Sequence, residues 1–210
     1  MNKNLDQLLI IGAGGHGKVL SDIAMNMYQW KRIAFLDDNS SVQSIMGLEI
    51  IGNINSVFQY CKDFDIFVGI GNQATRKKLM EELMGVGAHL PTLIHPNSVI
   101  GRDVEIGMGT VIMPGVVINC CTRMGIGCII NTGSTVDHDN VIGDYVHISP
   151  GVHTAGKVTI GNNTWLGIGS IIKNNINISS DCIIGAGAVV IKDIVASGTY
   201  IGIPARRMEV

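Results

Sequence analysis

Two histidines nine residues apart, His138 and His147, stand in the stretch STVDHDNVIGDYVHISPG (residues 134–151), which is otherwise mostly small and aliphatic. Asp137 and Asp139 flank the first of them. An imidazole titrates close to neutral pH and is suited to accepting a proton under working conditions. The acidic flank argues against a histidine that merely fills a corner. Side chains alternate along a strand, so the sequence leaves open which aspartate reaches His138. No Ser or Cys sits in a nucleophile-elbow pattern, which favours direct attack on a bound substrate over a covalent enzyme intermediate. A second stretch with chemical potential is GAGGHG, residues 12–17. It fits GxGxxG, follows an apolar run and precedes a helical pattern. In that setting backbone N–H groups and a helix N-terminus hold phosphate where no Cβ intrudes. Asp37, at the end of the next apolar run, is placed to accept ribose hydroxyls.

The elements that must position these residues fall into two kinds. From Ile94 the chain carries an aliphatic residue at nearly every sixth position, through Ile112, Ile130, Ile148, Leu166 and Ile184 to Val190, with Thr154 as the exception. Neither a 3.6-residue helix nor a period-2 strand gives that spacing. Short flat strands joined by corners do, three to a coil of about eighteen residues, as in hexapeptide solenoids. The expected fold of residues 91–210 is therefore a parallel β-helix. Its outward apolar residues, such as Val111, Val117 and Ile171, favour packing against sister subunits, and a three-sided prism favours a threefold assembly. Residues 1–90 alternate strand and helix: strands at 8–11, 33–36 and 65–70, helices at 18–28 and 73–84, with 12–17 as a turn. That is a small Rossmann-like α/β domain. It has the size of one mononucleotide half, which suits a nucleotide or nucleotide-sugar diphosphate better than NAD.

Composition narrows the function classes. Net charge is −2, without a Lys/Arg run, so nucleic acid and anionic membrane are poor partners. The four apolar residues 8–11 are too few for a signal peptide or membrane span, and a cytoplasmic location is expected. The five cysteines (Cys61, Cys120, Cys121, Cys128, Cys182) form no CxxC pair and read as small buried residues, with Cys120-Cys121 as coil filler. No metal is expected.

The segments IIGAGGHGKV, FLDD, GIGNQATRKKL, LIHPNSVIG, NTGSTVDHD, IGDYVHISPG and GIPARRM together resemble the hexapeptide-repeat sugar acetyltransferases related to sialic acid O-acetyltransferase. The resemblance covers essentially the whole chain. It is greatest to the N-acetyltransferases of nucleotide-linked 4-amino-4,6-dideoxyhexoses. It implies a left-handed β-helix and acetyl-CoA as co-substrate. Nine residues are half a coil, so His138 and His147 of one chain fall on different faces; if both serve one acetyl group, the active site is expected between subunits of the homotrimer. The resemblance implies His138 as general base with Asp139 raising its basicity, and His147 as a donor to the thioester carbonyl. Coil contacts to coenzyme A would fall at Gly156, Ile168 and Ala186, the last inferred from register alone. The nucleotide sugar, UDP-, dTDP- or GDP-linked, would meet Gly14, Gly15, His16, Asp37 and Asp38. The product would serve a surface polysaccharide such as lipopolysaccharide O-antigen, or another glycan. The alternatives are O-acetylation of a sialic acid or related sugar, and a non-catalytic scaffold or sugar-nucleotide-binding module.

Overall fold

A computed structural model of the chain describes residues 5–39 and 41–209, in two compact units that divide between His95 and Pro96. In the first unit, β1 (Gln7–Ile11), α1 (Gly15–Met27), β2 (Arg32–Leu36), a small hairpin of β3 (Ser44–Ile45) and β4 (Leu48–Glu49), β5 (Asp65–Val68) and α2 (Gln73–Gly85) follow in order. The main sheet is parallel with order β2-β1-β5, and the hairpin is antiparallel. Leu8 to Ile11 of β1 are fully buried because the central strand is covered on both faces. The glycine stretch differs from the expected turn: α1 starts at Gly15, with Gly14 as an extended N-cap that offers no side-chain bond. The first helical N–H groups therefore lie within the stretch itself. Gly12 takes φ 94°, and a Cβ at Gly17 would collide with the Gly12 carbonyl, so both glycines are needed by the turn.

The second unit is the left-handed parallel β-helix. Two-residue strands pair in parallel with the strand eighteen residues on, as Val117 does with Thr135 and Thr135 with His153. The six-residue ladder points inward without a break, from Ile112 through Ile130, Ile148 and Leu166 to Val190. Thr154 keeps that register: it pairs with Val136 and Ile172 and is buried, its hydroxyl without a hydrogen-bond partner. The residue four beyond each ladder position is also buried, among them Val116, Ser134, Asn140 and Thr164, so each corner contributes a second inward side chain.

The three faces differ outward. One carries Val117, Thr135, His153 and Ile171, a second Glu105, Arg123, Thr159 and Asn177, and a third Val111, Ile129, His147, Trp165 and Ile183. Two expectations need correction. Val111 holds an outward position but is fully buried in the single chain rather than accessible, and Cys120 and Cys121 are exposed on a corner rather than filling the coil. A corner turns its tip residues away from the axis, whatever their size. Among the described residues, no helix is long and apolar enough to cross a membrane.

Candidate active site

His138 occupies the corner between the strands Thr135–Val136 and Val141–Ile142. Asp139 in that corner has φ 57°, in the left-handed region. Asp103, Cys121, Lys157 and Asn175 adopt the same conformation at the equivalent corners, so it belongs to the coil as such. Its consequence is local. In a strand, side chains 138 and 139 would point to opposite faces, whereas the turn brings them to one side. His138 Nδ1 lies 2.7 Å from Asp139 Oδ2. A carboxylate only accepts, so Nδ1 carries a hydrogen, and in the neutral ring the lone pair is on Nε2.

Asp137 takes the other role. Its Oδ1 accepts from Asn119 Nδ2 at 2.7 Å and from the His138 backbone N–H at 2.8 Å. The Asn119 bond, followed by the His138 N–H, holds the Asp137 carboxyl below its ordinary range. Buried Asn140 ties the corner from inside, donating through Nδ2 to the carbonyls of Asp137 at 2.7 Å and Ala155 at 2.9 Å. One coil on, Gly156 lies against the imidazole: a Cβ there would stand 2.5 Å from Nε2. The ring borders an open cleft of about 410 Å³, lined by Asp137, Ala155, Gly156, Lys157, Asn174 and Asn175.

His147 lies elsewhere, on the strand His147–Ile148 of the third face. Its ring stacks on Trp165, one coil on, with centroids 5.8 Å apart and planes 3° from parallel. Trp165 Nε1 donates to Ser149 Oγ at 2.8 Å, and Asn131 Nδ2 lies 3.4 Å from His147 Nε2. Ile168 and Ala186 stand exposed on successive corners that follow this face. The structure thus brings Gly156 to His138 and sets His147, Ile168 and Ala186 on a different side of the prism. His153 bonds Thr135 across the coil at 2.8 Å, and His89 pairs with buried Asp65 at 2.7 Å; both have structural partners.

In the first unit, Asp37 Oδ2 accepts from the Ala13 N–H at 2.7 Å and Oδ1 from the Asn39 N–H at 2.9 Å. Asp38 Oδ1 accepts from the Ile54 N–H at 3.0 Å. The acidic pair therefore shapes the loop, while Asp37 also lines a small cavity with Ala13, Gly14, Asn39 and Ile50. Gly14 and Gly15 face open space: a Cβ at either meets nothing within 4 Å. His16 is turned inward with Nε2 buried and unpartnered. Burial first, and the Arg76 guanidinium second, lower its pKa to about 4, so the ring is neutral. Arg76 itself is buried and donates to the carbonyls of Ile70 and Gly71 at 3.3 and 3.1 Å, tying the β5–α2 loop beside the glycines. Among the described residues, no group of three or more His, Cys, Asp or Glu is placed to hold a metal ion.

Asn119, Asn140, Trp165 and Arg76 have no motif to reveal them. For Asn119 and Trp165 the signal was the coil length, because each lies eighteen residues from its partner.

The PglD N-terminal domain family model matches residues 7–83. The chain is 36% identical over 113 residues to the UDP-N-acetylbacillosamine N-acetyltransferase of Bacillus subtilis, a match covering 52% of each chain. It thus spans about half the length of that relative. Solved structures match more fully. The acetyltransferase domain of PglB from Neisseria gonorrhoeae, in complex with acetyl coenzyme A, superposes with a TM-score of 0.92 at 36% identity, over 97% of this chain and 99% of that one. PerB from Caulobacter crescentus, in complex with CoA and GDP-perosamine, gives 0.90 at 32% identity, over 97% of both. With both units matched end to end at this identity, the chain belongs to the hexapeptide-repeat N-acetyltransferases of nucleotide-linked amino sugars.

Proposed function

We propose that the protein transfers the acetyl group of acetyl-CoA to the 4-amino group of a nucleotide-linked 4-amino-4,6-dideoxy sugar, with His138 as general base. The observation that carries this is the His138–Asp139 bond, which in the neutral ring assigns the hydrogen to Nδ1 and turns Nε2 to an open cleft. The amine lone pair attacks the thioester carbonyl, the C–S bond breaks, and CoA leaves as the thiolate or thiol. The excess amine proton passes to Nε2 of His138, while Asp139 accepts from Nδ1–H and steadies the imidazolium. His147 supplies a donor to the developing oxyanion, its ring plane set by Trp165. Gly156, Ile168 and Ala186 border the pantetheine arm. Gly14, Gly15 and the backbone of His16 approach the diphosphate, since the first two glycines serve no packing need. Asp37 and Asp38 shape that loop and keep lone pairs for the nucleoside.

His138 and His147 lie on different sides of one prism, so a single acetyl group meets both only between neighbouring copies. We therefore place the active site between subunits of a homotrimer. The apolar outward residues Ile171, Trp165 and Ile183 support that reading, each more than two-fifths exposed in the single chain. Two experiments test it. Thiol release and product mass are followed with acetyl-CoA and a panel of UDP-, dTDP- and GDP-linked 4-amino sugars, with free sialic acid alongside. N-acetylation of at least one nucleotide sugar is expected; turnover with sialic acid alone contradicts the reading, and no turnover at all favours a scaffold. Mixing His138→Ala with His147→Ala chains restores part of the activity if the site is shared, and restores none if each subunit works alone.

A further inference from the structure

We propose that Asp137 selects the acceptor by charge, its Oδ2 receiving the 4-ammonium group of an amino sugar in preference to the 4-hydroxyl of a neutral one. This rests on the reading of the His138 cleft as the place of acetyl transfer. The two oxygens of the carboxyl are placed differently. Oδ1 is consumed inside the corner, accepting from Asn119 Nδ2 at 2.7 Å and from the His138 N–H at 2.8 Å. Oδ2 has no hydrogen-bond partner among the described residues. Yet Asp137 lines the cleft of about 410 Å³ together with His138 and Gly156. A carboxylate oxygen is an acceptor only, so Oδ2 is left to meet a donor from the ligand.

The surroundings keep this carboxylate charged and unneutralised. The Asn119 bond, then the His138 N–H, favour its ionised form. Asn119, one coil before, and Ala155, one coil on, carry no charge. Asp139 is engaged by His138 Nδ1. Lys157 lines the same cleft but forms no ion pair with Asp137 among the described residues. The acceptor supplies the missing cation. An amine on a sugar carbon has electron-withdrawing neighbours, as an α-amino group does, and such amines titrate at about 7.7–8.0. Near neutral pH most of the acceptor therefore arrives as ammonium, a charge that a sugar hydroxyl lacks. A hydrogen bond from ammonium to carboxylate is charge-assisted and about twice as strong as a neutral one. Attack needs the nitrogen lone pair, so the ammonium first gives one proton to solvent. That N–H bond is the only bond broken in this step. The neutral amine still donates an N–H to Oδ2 and stays beside His138.

Calorimetric titration of the assembled protein tests the proposal. The ligands are UDP-, dTDP- and GDP-linked 4-amino-4,6-dideoxyglucose and the matching 6-deoxyglucoses, which carry a 4-hydroxyl. At about pH 7 a free imidazole is mostly neutral and the amine mostly charged; at about pH 9.5 the amine is neutral. Native protein is expected to bind at least one amino sugar about tenfold or more tightly than its 4-hydroxy counterpart at the lower pH, and to lose most of that preference at the higher. Asp137→Asn keeps an oxygen for Asn119 and the His138 N–H, so its unfolding temperature should match the native value. Its preference should fall to within about twofold, with the 4-hydroxy sugar bound as before. Titration of His138, Lys157, Cys120 and Cys121 persists in this variant and cannot account for a difference between the two proteins. An undiminished preference in Asp137→Asn overturns the proposal, even where native protein acetylates the amino sugar. So does native protein that binds the two ligands equally at the lower pH, a result that needs no variant. Native protein that shows the preference but releases no thiol from acetyl-CoA contradicts the acetyl-transfer reading and leaves the role of Asp137 standing.

Discussion

At the glycine loop of the first unit, side chains hold the backbone in place. Asp37 takes the Ala13 N–H, Asp38 takes the Ile54 N–H, and Arg76 ties the neighbouring loop through two carbonyls. At the His138 corner the dependence runs the other way. A left-handed Asp139, imposed by the coil, sets two adjacent side chains on one side and fixes an imidazole 2.7 Å from a carboxylate. In the proposed function the first arrangement offers backbone N–H groups to the acceptor, and the second offers a side-chain nitrogen. Diphosphate recognition needs many fixed donors, and proton removal needs one free lone pair. Each turn therefore puts its working group where its own internal bonds do not consume it.

Substitutions that separate the two turns sharpen this contrast. His138→Asn removes the free lone pair and is expected to slow turnover by about 10²–10⁴-fold, the usual worth of a positioned general base. Acetyl-CoA binding, followed by calorimetry, should persist. The glycine-loop side answers to pH instead. His16 is neutral in the fold with a pKa of about 4, against 6.5 for a free imidazole. The unfolded chain thus binds the extra proton first as pH falls. Stability contributed by neutral His16 is complete above about pH 6.5 and is lost as pH drops towards about 4, by up to about 3 kcal/mol. Urea unfolding of native protein and His16→Gln at about pH 7.5 and about pH 5 measures it: the native midpoint should fall more. Equal shifts in the two proteins would show that His16 is not held neutral by the fold.

Asp139→Asn tolerates the left-handed conformation but replaces the carboxylate. Turnover should drop about 10–100-fold with the unfolding temperature unchanged, because the ring loses the carboxylate that orients it and keeps its hydrogen on Nδ1. Asp139→Ala should add a loss of roughly 1 kcal/mol in stability, the cost of a left-handed Ala. If both variants lose stability equally, the strain argument for this corner fails. The smallest effect belongs to Trp165→Ala, which removes the stack under His147. A worth of ~0.5–1.5 kcal/mol corresponds to about twofold to about thirteenfold in the KM for acetyl-CoA. Trp165→Phe should recover most of it.

Much of this architecture is legible in the residues. The inward ladder is a period of six, and its burial from Ile112 to Val190 follows from that spacing. His138 stands out because its side chain leaves the ladder. The choice between Asp137 and Asp139 was not legible, because it turns on the φ of one corner residue. Trp165 against His147 and Asn119 against Asp137 are contacts of the coil's own length, so they become readable only once eighteen residues per turn is taken as a contact rule. The glycine stretch misled in a different way. GxGxxG gives no sign that Gly12 and Gly17 serve the turn while Gly14 and Gly15 face open space. Nor does a polar pattern reveal that Arg76 is buried and His16 turned inward, since both depend on packing between α1, α2 and β5.

The central claim, that the corner fixes His138 with a free Nε2, is measured most directly by the ring tautomer. Nitrogen-15 NMR of histidine-labelled protein, with the His138 signals among the six histidines assigned through His138→Asn, reports which nitrogen carries hydrogen in the neutral ring. Hydrogen on Nδ1 in native protein, moving to Nε2 in Asp139→Asn, is the expected result. A native ring with its hydrogen on Nε2 would contradict the assignment of His138 as the base.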